Sequence, residues 1–136
     1  MKIISVFFIL IILASCKKYD EGPALSFKSK KERVCNTWRI EQAFEGDVDK
    51  STDYQDWRLT LTKEDYYHFY TIGTSSISLN FTGRWEFDNN KKNIIARATD
   101  GSGEVEYVTY EILRLMRNEM WLFVEASNLE WRLVPA

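Results

Sequence analysis

The stretch ISLNFTGRWEFD, Ile77 to Asp88, alternates with a period of two. Ile77, Leu79, Phe81, Trp85 and Phe87 occupy one phase, and Ser78, Asn80, Thr82, Arg84, Glu86 and Asp88 the other. An extended chain sends successive side chains to opposite faces, so this pattern buries one phase only as a strand in a sheet with one wet face. Gly83 falls on the apolar phase, where it is expected to permit a bend or bulge. The same period runs through WRIEQAF, where Trp38, Ile40 and Phe44 alternate with Arg39, Glu41 and Ala43, and through WRLTLT, where Trp57, Leu59 and Leu61 alternate with Arg58, Thr60 and Thr62.

Turn signals punctuate these runs at Glu45-Gly46-Asp47, Gly73-Thr74-Ser75, Asn89-Asn90, Asp100-Gly101-Ser102-Gly103, Asn118-Glu119 and Ser127-Asn128. They divide the chain into eight strands near 36–45, 56–63, 66–72, 77–88, 92–99, 104–116, 119–126 and 129–135. Short hairpin loops join most neighbours, which predicts an antiparallel meander. An open meander exposes two edges to other chains, and closure into an eight-stranded up-and-down barrel removes both, so a monomer is expected. In the sixth strand Val108, Tyr110 and Ile112 hold one phase before Leu113 and Leu115 take the other, which predicts a bulge. Ahead of the first strand, Ser29-Lys30-Lys31-Glu32 has the form of a capping box and predicts a helix of about two turns.

The sequence opens on Met1-Lys2 and the apolar segment IISVFFILIILA, Ile3 to Ala14, followed by Ser15 and Cys16. A charged start, an apolar run and a small-residue site form a secretory signal. The run is shorter than the roughly 20 residues of a spanning helix. Leu13-Ala14-Ser15-Cys16 resembles the lipobox of bacterial lipoprotein signals, which implies removal of residues 1–15 and acylation of Cys16, by palmitate or a similar chain. Two or more acyl chains anchor a protein stably where one does not. Residues 16–28, with a Gly-Pro break and no sustained period, are expected to form a lipidated tether, and residues 29–136 the domain. The acidic pair Asp20-Glu21 is loosely similar to surface-export signals of Bacteroidetes lipoproteins, although solvated linker charge is the simpler and favoured reading.

Without the signal, 17 basic residues face 20 acidic ones. That balance creates no field suited to nucleic acid, and no nucleic-acid partner is expected. Cys35 is the only other cysteine, so no disulfide framework is expected and the core alone must hold the domain, helped by an aromatic content of 15%. His68 is the only histidine. A nucleophile needs a base and a group that orients it, and nothing in the sequence places Cys35 and His68 together, so no catalytic residues and no enzyme activity are expected. One histidine and one thiol exclude the usual zinc sites. Asp47, Asp49, Ser51 and Asp53 have the odd-position spacing of a calcium loop, but Thr52 and Arg58 stand where Gly and Glu are required. The loop 45–56 is expected to be solvated, with a weak calcium site the alternative. No metal or cofactor is assigned, and neither a Gly-rich phosphate loop nor a distinguished carboxylate pair is present.

Several segments carry a family resemblance: SKKERVC running into Asn36-Thr37-Trp38, then TGRWEFDNNKKNI, then EILRLMRNEMWLF and a final EWRLV. Together they resemble the small lipocalin-like domain found in many Bacteroidetes lipoproteins. The resemblance implies a barrel whose first strand opens on a Gly-x-Trp, here Asn36-Thr37-Trp38, with Asn36 supplying the left-handed turn. It implies that Trp38 closes one end beneath an arginine from near the end of the chain. Arg132 matches by position, although its alternation with Leu129, Trp131 and Leu133 points it outward.

The inward set is expected to be Trp38, Phe44, Trp57, Leu59, Leu61, Phe81, Trp85, Phe87, Leu122, Trp131 and Leu133. Such bulk should fill much of the interior and leave at most a shallow pocket at the open end. Trp57, Trp85, Phe87 and Trp131 are the expected ligand contacts there. Two functions follow. One is a lipid-anchored binding module of the cell envelope, expected at the outer membrane, that takes a small apolar or amphipathic ligand. The other is a filled barrel that docks an envelope protein or glycan through outer aromatics on a second phase, Tyr54, Tyr67, Phe69, Trp121 and Phe123. Replacing Cys16 with Ala is expected to abolish incorporation of labelled fatty acid and to release the protein from the membrane fraction. Continued labelling would contradict the anchor.

Overall fold

A computed structural model describes residues 28–73 and 79–136. The signal, Cys16 and the tether up to residue 27 lie outside the described residues, as does Ile77. Helix α1 (Lys30–Val34) comes first, and its N-cap Ser29 accepts a hydrogen bond from the Glu32 amide at 3.1 Å, the expected first half of a capping box. Strands β1 (Asn36–Glu45) and β2 (Val48–Asp49), a helical turn α2 (Ser51–Tyr54), and strands β3 (Trp57–Leu61), β4 (Tyr66–Thr71), β5 (Asn80–Phe87), β6 (Asn93–Thr99), β7 (Glu106–Met116), β8 (Glu119–Val124) and β9 (Leu129–Pro135) follow, with a 3-10 turn at Glu125–Ser127 between the last two.

All pairings are antiparallel. Apart from β2, which folds back on β1 as a two-residue hairpin arm, each strand from β3 to β9 pairs with the next, while β1 pairs with both β3 and β9. The result is the closed eight-stranded barrel expected from closing the edges of the meander. Leu79, expected on the buried phase, instead precedes β5 and is exposed.

Two bulges adjust the phase. Between Ile40 and Gln42 the β1–β9 register slips, leaving Glu41 unpaired. Ala43 therefore turns inward and is fully buried, while Phe44, expected inside, turns out. There the Arg132 guanidinium lies 5.1 Å from its ring centroid. The second slip, between Ile112 and Arg114, leaves Leu113 exposed and buries Leu115, as the sixth-strand pattern predicts.

The barrel is filled at the end that α1 covers. Val34, Trp38, Leu59, Leu61, Leu115, Met120 and Leu133 pack there with almost no exposure. Trp38 Nε1 donates to the Val34 carbonyl at 2.9 Å, tying the helix to the first strand. Lys31 crosses the same end, bonded to Asp65 at 2.5 Å and 5.6 Å from the Trp85 ring centroid.

Two features of the resemblance take a different form. Asn36 is an ordinary strand residue whose side chain accepts from the Thr37 amide at 2.8 Å; the left-handed non-glycine positions among the described residues are Asp65, Lys91 and Asn128. Arg132 does not cover Trp38. It points outward, 4.1 Å from the Trp121 ring centroid and bonded to Glu130 at 2.9 Å, because the β9 alternation gives the interior to Trp131 and Leu133.

Gly83 makes no bulge. It pairs in register with Tyr67 and Ala98, and its role is close approach: a Cβ there would fall 1.8 Å from the Arg97 carbonyl oxygen and 2.8 Å from Ala98 Cα. Backbone cannot yield as a side chain tip can. Gly83→Ala is therefore expected to destabilise the barrel by about 1–3 kcal/mol or more in chemical denaturation, the usual cost of overpacking; an unchanged midpoint would contradict this account.

Candidate functional site

Away from α1 the interior is hollow. A cavity of about 820 Å³ opens there, larger than the shallow pocket that the bulk of the inward residues suggests. Its size follows from where the aromatic rings go. Trp57, at the start of β3, stacks on Phe69 of β4 with centroids 4.3 Å apart, and both lie 6.5 Å from Phe81 at the start of β5. Phe69 in turn meets Trp131 of β9 at 5.2 Å, and Trp131 meets Tyr54 of α2 at 5.5 Å and Tyr110 of β7 at 5.7 Å. The rings form a contiguous belt along the cavity wall, with Trp57, Phe69 and Phe81 stacked and Trp131 tilted against Tyr54, Phe69 and Tyr110.

Deeper in, the buried Tyr67 and Tyr110 hydroxyls share a 2.7 Å hydrogen bond. Burial pushes the Tyr67 hydroxyl up to about 12, against a lowering by the bond to Tyr110 and with a further rise from Glu106. Burial, with Tyr67 beside it, also raises the Tyr110 hydroxyl well above its usual range. Both stay neutral donors and acceptors at any ordinary pH. Trp131 Nε1 is buried without a hydrogen-bond partner among the described residues.

The wall is split on one side. The β7–β8 ladder begins at the pair Glu111 and Phe123, so residues 106–110 of β7 pair only with β6, while β8 turns away into the 3-10 turn. Through this slot the cavity continues to Asn93, Thr109, Glu111 and Phe123. Among the described residues, Glu106, Glu111 and Glu125 are the charged members of the lining, and no lysine, arginine or histidine joins them.

Of the expected ligand contacts, the structure brings Trp57 and Trp131 together at the cavity. Trp85 and Phe87 lie elsewhere: Trp85 Nε1 donates to the Thr62 carbonyl at 3.1 Å beneath α1, and Phe87 meets Trp85 edge-on at 5.2 Å. They share the inward phase with Phe81, but β5 runs from the open end to the closed one, so its later residues are spent on the plug. Tyr67 and Phe69, assigned to the outer phase, face inward, paired with Leu61 and Leu59 across the β3–β4 ladder. In YYHFY both phases are aromatic, and only that register decides between them.

Tyr54 also lines the cavity, carried there by α2, which is fastened where Ser51 Oγ accepts from the Ala43 amide at 3.0 Å and the Lys50 amide donates to the Ala43 carbonyl at 2.8 Å. The acidic loop thus serves as a scaffold. Asp49 accepts from the Ser51 amide at 2.8 Å, and the bonds from Ser51 hold its carboxyl below the usual range. Among the described residues no group of three or more His, Cys, Asp or Glu side chains is placed to hold a metal. His68 faces outward beside Asn80 and stacks on Tyr70 at 4.1 Å. Cys35 is a free, half-buried thiol, raised by burial.

No protein-family model and no curated protein matches this chain. Solved structures do. A lipocalin-like protein from Bacteroides uniformis superposes with a TM-score of 0.61 at 9% identity, over 76% of this chain and 99% of that one. An uncharacterised protein from Bacteroides eggerthii gives 0.57 at 12% identity, over 75% and 98%. The domain therefore has a lipocalin-like fold.

The tyrosine pair generates a test. Tyr110→Phe strands the Tyr67 hydroxyl in a buried site and is expected to cost about 1–3 kcal/mol in denaturant titration, whereas Tyr67→Phe combined with Tyr110→Phe should cost less than the two single changes summed. Because the folded values lie above the ordinary 10, the unfolded chain ionises first. Stability is fully present below pH 10 and is expected to fall from there toward pH 12. Tyrosinate absorbance appearing for every tyrosine near pH 10, without unfolding, would refute this.

Proposed function

We propose that the chain is a lipid-anchored binding module of the cell envelope, held at the outer membrane by acylated Cys16, that takes a small apolar or amphipathic ligand in the cavity at the open end. The observation that carries this reading is the cavity itself. About 820 Å³ bounded by Trp57, Phe69, Phe81, Tyr110 and Trp131 lies within the roughly 300–1,000 Å³ of small-molecule sites, which are walled mainly by apolar and aromatic groups with a few polar ones. The Tyr67–Tyr110 hydroxyl pair and the three glutamates supply the polar minority. The lipobox resemblance of Leu13 to Cys16 supports the anchor.

A filled barrel docking a protein or glycan fits less well. That alternative drew on outward aromatics, yet Tyr67 is buried, Tyr54 and Phe69 line the cavity, and Trp121 lies under the guanidiniums of Arg132 and Arg114. Binding, with no reaction assigned, is the better use of this site.

Ala126 sits at the lip of the slot, exposed and among the lining residues. The protein beginning at Lys28 is expected to enhance the fluorescence of a hydrophobic dye, and Ala126→Trp, which places a large ring across the opening, to reduce that enhancement several-fold. A protein that leaves the dye dark, or a variant that binds it unchanged, would count against the cavity as the site.

A further inference from the structure

We propose that the cavity selects cationic amphiphiles, amines or quaternary ammonium compounds with an apolar tail, and turns away anionic ones such as fatty acids; the inference rests on the binding role proposed above. Two independent features of the wall point the same way. Nine of its twenty described lining residues are aromatic. Their π faces carry negative potential and attract a cation more strongly as water is excluded. The charged residues of the wall among those described are all acidic: Glu106 and Glu125 at the mouth, Glu111 at the outer end of the slot.

These carboxylates have no ion-pair partner among the described residues. Cations on nearby elements are turned away. Arg58 and Arg97 lie on the outer phase of their strands, with Arg58 donating to the Gln55 and Trp57 carbonyls at 3.0 and 2.9 Å. Lys50 and Lys92 adjoin lining elements without joining the wall. The acidic character extends around the rim, since Glu45 and Asp53 act on Tyr54, and Glu106 on Tyr67, each raising the hydroxyl that burial already raises.

A carboxylate entering this site would pass the exposed Glu106 and Glu125 at the mouth and lose water inside, where no basic group among the described residues receives it. An ammonium would exchange water for ring faces and an unpaired glutamate. The difference should reach about tenfold in affinity, since each contact is only partly shielded from solvent.

The test uses the full chain in lipid nanodiscs, titrated by calorimetry at neutral pH against octyltrimethylammonium, octanol and octanoate, with empty nanodiscs as the blank. The expected order of affinity is ammonium, then alcohol, then carboxylate, with about tenfold or more between the extremes. Glu106→Gln combined with Glu125→Gln should narrow that gap. Octanoate binding as tightly as the ammonium overturns the proposal, whatever the variant does. Octanol binding without any preference by charge overturns this inference alone and leaves the binding cavity standing; silence from all three probes overturns both.

Discussion

Strand β1 pairs with β3 and β9 at the same time only at Trp38 and Arg39, and the shape of the whole barrel depends on where it keeps both of these neighbours. At the α1 end it does, the wall is continuous and the interior is narrow enough for side chains to fill. Past Arg39 it stays with β9 but leaves β3, and the gap is occupied by the β2 arm and α2. A similar parting separates the start of β7 from β8. The barrel is closed by pairing at one end and flared at the other.

That asymmetry is held by a few interactions. Residues Glu41 and Leu113, each extra in its ladder, let the two longest strands coil without turning an apolar phase to solvent. Gly83 lets β5 approach β6 more closely than any side chain would allow. At the filled end the Val34 carbonyl satisfies the Trp38 indole and fixes the plug. Between filled and hollow halves stands the tyrosine pair, whose shared hydrogen bond keeps two buried hydroxyls from costing the desolvation of unpaired ones. The Trp131 indole N–H, without a partner among the described residues, lies in the wall above it, where rigid aromatic packing, and not polar satisfaction, shapes the cavity.

Much of the fold was legible because period-two alternation reports local geometry. The eight strand positions, the bulge after Ile112 and the Ser29 cap all depend on residues within a few places of one another. The errors have one physical source. Phe44 and Ala43 exchange faces because the bulge at Glu41 is set by the pairing of β1 with β9, some ninety residues away in sequence. Tyr67 and Phe69 face inward because of their register with β3. Trp85 and Phe87 share a phase with Phe81 and yet belong to the other end, since phase gives the face of a strand and not the height along it. Arg132 was readable as outward from its own neighbours, and the family pattern did not override them.

The sequence by itself determined that this domain is all-β with one buried face to each strand, because alternation from Trp38 to Leu133 buries its apolar phase only in a sheet, and it favoured a barrel because closing a meander removes both open edges. It also determined the residues from which a site could be made: abundant rings, many carboxylates, a single histidine. Only the tertiary structure decided that the rings line a hollow instead of filling it. Side-chain volume alone argued for a packed interior, but the room available is set by how far the strands part at one end, and that separation is a property of pairings between distant segments that no local pattern encodes.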